Sequence, residues 1–282
     1  MNSQAGVRRV IIVVLDGLRP DAIDAFGLTT IDRVMRAGAS SRSARTIDPP
    51  LTTAAMTSLM TGVNPGRHGI TGDRVFIPRS AGWLTPMPQA LADSGFPSAA
   101  FLAELPTLMK GIGARVGRRL GFGTTQFAGK RAAEILTAAR TTLRVQRRGL
   151  VVLHWPDADR AGHKHGWMSA AYAAACRDLD VALGDLCSAI DLESDSSTML
   201  VALADHGGGG AAPNDHESHH PLDMTIPLVF AGPAVLPACL HGATLLDVPA
   251  TTLYALGVPV PPTYEGHPHA DIFAAALRTA VA

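Results

Sequence analysis

The stretch Thr198-Met199-Leu200-Val201-Ala202-Leu203-Ala204-Asp205-His206-Gly207-Gly208-Gly209-Gly210 decides how the chain is read. Its apolar run is unbroken from Met199 to Ala204 and then stops at an acid, a histidine and a string of glycines. A short run without alternation fits a strand covered on both faces, and such strands belong to parallel sheets sandwiched between helices. Ligands of open α/β sheets gather at the carboxyl ends of the strands. Asp205 and His206 are therefore placed as metal-ligand side chains. The plainer alternative is that Asp205 caps a turn and the glycines only let the chain bend; the other segments must decide.

Two further runs end the same way. Val10-Ile11-Ile12-Val13-Val14-Leu15 stops at Asp16-Gly17, and its β-branched content favours strand over helix. Residues 149–154 form the third, running into Pro156-Asp157-Ala158-Asp159-Arg160-Ala161-Gly162-His163-Lys164-His165. Asp159 and His163 are four apart, a spacing that one helical turn converts into two side chains on one side. Between and after these strands come helical patterns over 31–37, entered through a cap at Thr29 or Thr30 and stopped at Gly38, and over 88–95, 128–145, 168–190 and 247–256. Pro49-Pro50-Leu51 breaks the chain ahead of a helix over 52–62 that begins at a threonine, and a helix start suits an anion. The bland reading of Thr52 is an N-cap. Short strands are expected at 97–101 and 228–231, His68 is read as structural, and 105–122 as irregular with some helix. Strand and helix alternate throughout, which predicts an α/β fold: one domain over 1–282, three-layer αβα around a mostly parallel sheet, with a small cap drawn from about 73–126.

Composition narrows the function classes. Lys+Arg and Asp+Glu balance at 24 each, so there is no global electrostatic footprint for nucleic acid, although Arg115, Arg118 and Arg119 could form a local patch. The amino-terminal apolar run is interrupted by Asp16, which predicts neither a signal peptide nor a membrane span, and a cytoplasmic product is expected. Cys176, Cys187 and Cys239 lack metal-site spacing and read as reduced thiols. Seven of the eleven histidines fall between His154 and His220, which points to a site there.

Three strand ends carrying carboxylates, two of them also histidines, would crowd acids that repel one another unless cations neutralise them. Imidazoles beside them suit a transition metal better than calcium, and two ions are inferred.

The segments Val14-Leu15-Asp16-Gly17, Pro49-Pro50-Leu51-Thr52 through Thr61-Gly62, Pro65-Gly66-Arg67-His68-Gly69-Ile70, Asp159 with His163, Asp205-His206-Gly207, and His216 ahead of Asp223-Met224-Thr225-Ile226-Pro227 occur in an order that resembles the alkaline phosphatase superfamily, in its type I phosphodiesterase/nucleotide pyrophosphatase branch. The resemblance implies an alkaline-phosphatase-like fold and a phosphohydrolase with two divalent ions. One ion would be held by Asp16, Asp205, His206 and the oxygen of Thr52, the other by Asp159, His163 and His216. Thr52 falls on the nucleophile position, ahead of its neighbour Thr53, and would carry a phosphothreonine intermediate. His216 is preferred to His219 and His220 by its distance to the Asp-Met-Thr-Ile-Pro segment. Zinc suits three Asp and three His best, with manganese next. His154, Asp157 and His165 are read as supporting or surface residues rather than ligands. Where many members carry an asparagine that contacts the phosphoryl group, this chain has Asp73, a substrate-binding candidate whose charge would repel phosphate.

The substrate implied is a small phosphorylated molecule, a phosphodiester or nucleotide pyrophosphate, with a phosphomonoester or phosphonate as the alternative. A sulfatase is excluded by the lack of Cys or Ser at Thr52-Thr53-Ala54-Ala55-Met56. A metal-dependent phosphoglycerate mutase is disfavoured, because that branch has a serine nucleophile and a large inserted domain. A non-catalytic metal-binding protein is the reading from another class.

Overall fold

The computed structural model describes residues 5–72 and 84–273. Eight strands form one sheet: β1 (Arg9–Leu15), β2 (Ala39–Arg45), β3 (Ser98–Leu102), β4 (Thr124–Phe127), β5 (Gly149–Trp155), β6 (Thr198–Leu203), β7 (Thr225–Ala231) and β8 (Ala238–Cys239), in the order β4-β3-β5-β1-β6-β7-β2-β8. From β4 to β6 all pairs are parallel; β7 runs antiparallel to β6 and to β2. The three strands that end in acids are neighbours. Leu15 pairs with Trp155 and Val14 with Leu203, so Asp16, the helix start bearing Asp159, and Asp205 leave the sheet side by side.

Every residue of β1, β5 and β6 is buried. Burying each large aliphatic side chain stabilises the fold by about 1.5–3 kcal/mol, which is why these segments are continuous apolar runs and not alternating ones. On one face lie α2 (Thr29–Ala37), α7 (Ala132–Val145), α8 (Asp157–His165) and the long α9 (Ala170–Ala189), packed on one another. On the other lie α3 (Thr52–Thr61), α5 (Met87–Asp93) and α11 (Asp247–Ala255). Three short helices, α1 (Pro20–Ala25), α4 (Pro65–His68) and α10 (Pro221–Met224), and α6 (Thr107–Arg119) complete the set among the described residues. This is the three-layer αβα, alkaline-phosphatase-like arrangement, with a mostly parallel sheet. No helix of the described residues is long and apolar enough to cross a membrane.

Several local expectations change. β2 is a strand of polar sequence, Ala39-Ser40-Ser41-Arg42-Ser43-Ala44-Arg45, and β4 is a further short strand at the opposite side of the sheet. Residues 107–119 are helical despite Gly111, Gly113 and Gly117. Two of these are needed there: a Cβ on Gly113 would fall 2.4 Å from the Phe127 ring, and one on Gly117 would fall 2.1 Å from Thr125 Oγ1. Of the stretch expected to form a cap, residues 84–126 supply β3 and the start of β4 to the main sheet, and α6 lies over β4. Neither Thr29 nor Thr30 caps α2. The Asp180 carboxylate of α9 accepts from the Thr30 and Ile31 amides instead, at 3.1 and 2.7 Å.

Candidate metal centre

At the end of β1 the backbone turns through Gly17 at φ 70°, and a Cβ there would fall 2.8 Å from the Asp159 Cα, so only glycine lets the β1 and β5 loops meet. The Asp159 amide donates to the Asp16 carbonyl at 2.9 Å, and Trp167 Nε1 and the Tyr172 hydroxyl both donate to the Gly17 carbonyl at 2.9 Å. Asp16 and Asp159 are thereby held by rigid backbone at adjoining strand ends.

Two groups of ligand atoms result. His206 Nε2 lies 3.3 Å from Asp16 Oδ1, 3.7 Å from Asp205 Oδ2 and 3.1 Å from Thr52 Oγ1. His163 Nε2 lies 3.3 Å from Asp159 Oδ1 and 3.1 Å from His216 Nε2, which is itself 3.7 Å from Asp159 Oδ1. The groups touch, because the His206 and His216 rings stack with centroids 3.7 Å apart. Proximity alone would also join His206 to Asp159 and His216, or His154 to Asp16 and Asp205, within 4.8 Å. His154 Nε2 at 3.0 Å and His206 Nε2 at 3.3 Å both stand beside the Asp16 carboxylate, while His163 stands by Asp159 and His216.

The imidazoles are oriented alike. His206, His163 and His216 each turn Nδ1 to a backbone carbonyl, of Gly207, Asn214 and Pro50, at 2.8, 3.0 and 2.8 Å. A carbonyl only accepts, so Nδ1 carries the hydrogen in each and Nε2 faces the cluster. Two Nε2 atoms 3.1 Å apart then need positive charge on or between them, a proton or a metal ion. On the acidic side, Asp16 Oδ1, Asp159 Oδ1 and Asp205 Oδ2 are buried with no hydrogen-bond donor. Buried polar atoms are nearly always satisfied, so three convergent orphans, one per carboxylate, fit cations.

Titration reports the same frustration. Burial would raise the Asp16 carboxyl, but the close His154 and His206 imidazoles outweigh it and hold it well below the usual range. Asp205 is pushed up, by burial first and by the Asp16 charge second, since two buried carboxylates resist ionising together. His163 is raised to about 9, chiefly by the Asp159 carboxylate 3.3 Å from its Nε2, whereas burial lowers His216. A proton on these nitrogens occupies the place a metal would take, so metal binding would release protons.

Thr52 is the first residue of α3, yet it caps nothing: Leu51 is the capping residue and no side chain bonds the free amides. The N-cap reading of Thr52 fails, and its hydroxyl is given to His206. His219 and His220 stay exposed, His220 serving α10, whereas His216 is buried in the cluster. His165 is exposed. Asp157 points elsewhere, its Oδ2 accepting from the Ala132 amide at the start of α7 at 2.9 Å. His68 is buried, with Nδ1 accepting from the Ile70 amide and Nε2 donating to Ser58 Oγ, which ties α4 to α3. Asp73 lies outside the described residues.

His154 is closer to the centre than its sequence reading placed it: its buried Nε2 stands 3.0 Å from Asp16 Oδ2 and its ring within 4.8 Å of an Asp205 oxygen. It does so without hydrogen-bond alignment, leaving that nitrogen unsatisfied. The signal was present as a polar residue between buried Leu153 and Trp155. Asp223 was not singled out either. Fully buried, it accepts from the Gly210 amide at 2.8 Å and from the Ser218 hydroxyl, and so anchors the loop that carries His216. The amides of Gly207, Gly208, Gly209 and Gly210 are all spent inside the protein, on Asp223, Leu222, Asp215 and the Asp223 carboxylate. A Cβ on Gly207 would fall 1.9 Å from the Leu222 carbonyl, so the glycines serve close packing and cradle no anion.

Comparison with known proteins bears on this arrangement. The fold is shared with murine ectonucleotide pyrophosphatase/phosphodiesterase 5, solved in complex with AMP (TM-score 0.74, 14% identity, covering 95% of this chain and 100% of that one). It is also shared with the lipoteichoic acid synthase LtaP from Listeria monocytogenes (TM-score 0.67, 15% identity, covering 92% and 74%). Among curated proteins, a 2,3-bisphosphoglycerate-independent phosphoglycerate mutase of Agrobacterium fabrum is 32% identical over 128 residues, 44% of this chain and 24% of its own. One of Pseudomonas syringae is 29% identical over 141 residues, 48% and 26%. The chain thus matches about a quarter of the length of these curated relatives. The model of the family described as type I phosphodiesterase / nucleotide pyrophosphatase matches residues 10–89 and 105–236, a span that holds Asp16, Thr52, Asp159, His163, Asp205, His206 and His216. The chain belongs to the type I phosphodiesterase / nucleotide pyrophosphatase family.

Proposed function

We propose that the protein is a two-metal phosphohydrolase that cleaves small phosphate esters, phosphodiesters or nucleotide pyrophosphates foremost, through a phosphothreonine on Thr52. The observation that carries this reading is the Thr52 hydroxyl, uncommitted to its own helix and 3.1 Å from His206 Nε2, at the junction of two ligand groups whose carboxylate oxygens have no donors. Asp16, Asp205, His206 and Thr52 would hold one ion and Asp159, His163 and His216 the other, with zinc favoured by the Asp/His donor set and manganese second. When bound, such ions supply alkoxide character to a hydroxyl and neutralise charge on phosphoryl oxygens.

A threonine hydroxyl is a poor nucleophile at neutral pH, and its placement here answers that need. Thr52 Oγ1 forms a bond to phosphorus as the ester P–O bond breaks; the hydroxyl proton passes to solvent water and the departing alkoxide takes one up from it. Water then cleaves the phosphothreonine, which releases phosphate or a phosphomonoester and restores the hydroxyl. Located at the first turn of α3, Oγ1 is flanked by free backbone amides, which favour an incoming anion. Trp167 and Tyr172 fix the Gly17 carbonyl beside Asp16, which supports the ligand frame.

The test is hydrolysis of bis-p-nitrophenyl phosphate, p-nitrophenyl phosphate and a phenylphosphonate ester by the zinc- or manganese-loaded protein beside Thr52→Ala. Wild type is expected to exceed the variant by about 10⁴-fold or more on its best substrate. Equal rates on all three would remove the hydrolase reading and leave a metal-binding protein.

A further inference from the structure

Next to Thr52 the described residues enclose a cavity of about 270 Å³ whose chemistry differs from that of the metal centre. It begins at Thr52, Thr53 and His154 and follows one face of α3, on which Met56 and Met60 succeed Thr52 at four-residue intervals. That spacing carries it along α3 for about 12 Å. Its far wall is the underside of α6, including Val116, and its floor is the sheet at β3 and β5. Beyond Thr52, Thr53 and His154 at the mouth, the lining offers two hydroxyls, Thr57 Oγ1, which is spent on the Thr53 carbonyl at 2.7 Å, and Thr125 Oγ1, which is buried and unpartnered.

We infer that this cavity receives an apolar, chain-like group of the phosphoester and so selects, among the phosphoesters proposed above, esters of an aliphatic alcohol over those of a nucleoside. The inference rests on the hydrolase reading of Thr52, because it is continuity with that hydroxyl that makes the cavity a substrate site. A nucleobase carries donors and acceptors on its edges, and burying them opposite Met56, Met60 and Val116 would leave them unpaired. An alkyl chain loses nothing there. Methionine side chains are unbranched and polarizable and adapt to chains of varied shape. The volume sits near the lower end for small-molecule pockets, about 300 Å³, enough for a slender chain and tight for a nucleoside. α6 is built to form this roof. Gly113 and Gly117 let it settle on Phe127 and Thr125 of β4, and its larger apolar residues reach across the gap towards α3.

The zinc-loaded enzyme should be assayed on p-nitrophenyl phosphodiesters bearing methyl, butyl, hexyl and decyl groups, below their critical micelle concentrations. kcat/KM should rise by up to about fourfold per methylene until the cavity is full, the gain expected for burying each group. Val116→Trp, which narrows the cavity, should flatten the rise. A flat series in wild type, with turnover present, would overturn the inference and leave the hydrolase reading standing. Should no ester be hydrolysed, the hydrolase reading falls, and calorimetric titration with methyl-, hexyl- and decylphosphonate and with AMP still decides the cavity. Affinity rising with chain length with a negative heat-capacity change supports it. Affinity independent of chain length, or AMP bound more tightly than decylphosphonate, overturns it.

Discussion

Arg9 and Asp16 flank β1 at its two ends, both buried, and the chain treats their charges in opposite ways. At the amino end, the Arg9 guanidinium donates to Thr198 Oγ1 at 2.9 Å, to the Leu143 and Ile190 carbonyls at 2.8 and 3.2 Å, and to Asp195 Oδ2 at 3.1 Å. Asp195 in turn accepts from Ser197 and Thr198. Every group in that cluster has a partner inside the protein. At the carboxyl end, Asp16, Asp159 and Asp205 each keep a buried oxygen that no donor reaches. Both ends are polar and lie mostly within the protein; what separates them is closure. A closed cluster costs little to bury and ties β1 to β6, α7 and α9, whereas an open one destabilises the bare fold and is kept for a ligand that completes it.

The largest effect expected from this contrast is at the closed end. Arg9→Met should lower unfolding stability by about 2–4 kcal/mol, because Thr198 Oγ1 and the buried Leu143 and Ile190 carbonyls lose their donor, while half-buried Asp195 keeps Ser197 and Thr198. Denaturant midpoints would measure it, with metal per folded chain unchanged. A midpoint equal to that of wild type would show that the amino end is no keystone. At the open end the sign should reverse. Asp205→Asn, in chelator, should stabilise the protein by about 2 kcal/mol, since it removes a buried carboxylate that Asp16 repels. The sign follows from linkage. Asp205 has a folded pKa above its unfolded value, so its contribution is full below about pH 4 and is lost as pH rises through the folded pKa. Metal-free wild type should therefore weaken over that window while Asp205→Asn does not. With zinc added the order should invert, because ligand binding stabilises only the form that keeps the site. An Asn variant less stable than wild type in chelator would break the contrast.

The open end was also the part most legible in the sequence. Runs 10–15, 149–154 and 199–204 could be read as buried strands because both faces are covered, and their terminal acids and histidines stand out against apolar surroundings. What stayed hidden depended on distant partners. Ser40, Ser41 and Ser43 give β2 no strand signature; its place is set by pairing with β7. Gly111, Gly113 and Gly117 read as helix breakers, yet two of them are what let α6 lie on β4. Thr29 and Thr30 look like caps, while the cap of α2 comes from Asp180, about 150 residues away, and no local pattern encodes it. His154 could be seen as a polar residue in an apolar strand; its contact with Asp16 needed the parallel register that sets Val14 beside it.

Asp157 gives the smallest and most discriminating test, because it opens the ligand-bearing helix α8 yet belongs to the closed class. It lies two residues before Asp159, but its carboxylate turns back to the first amide of α7, and burial pushes it up to about 6. Its folded pKa is thus above the unfolded value of 3.8, so its contribution is full below about pH 4 and fades as pH rises through about 6. An asparagine keeps an acceptor for the Ala132 amide and never carries the charge. Asp157→Asn should therefore gain on wild type between pH 4 and 6, by on the order of 1 kcal/mol, less than the full shift would give because the α7 terminus itself favours a negative charge. Bound metal should be unaltered. Loss of an ion from Asp157→Asn would mean that the boundary between closed and open polar groups runs through residue 157 and not between it and Asp159.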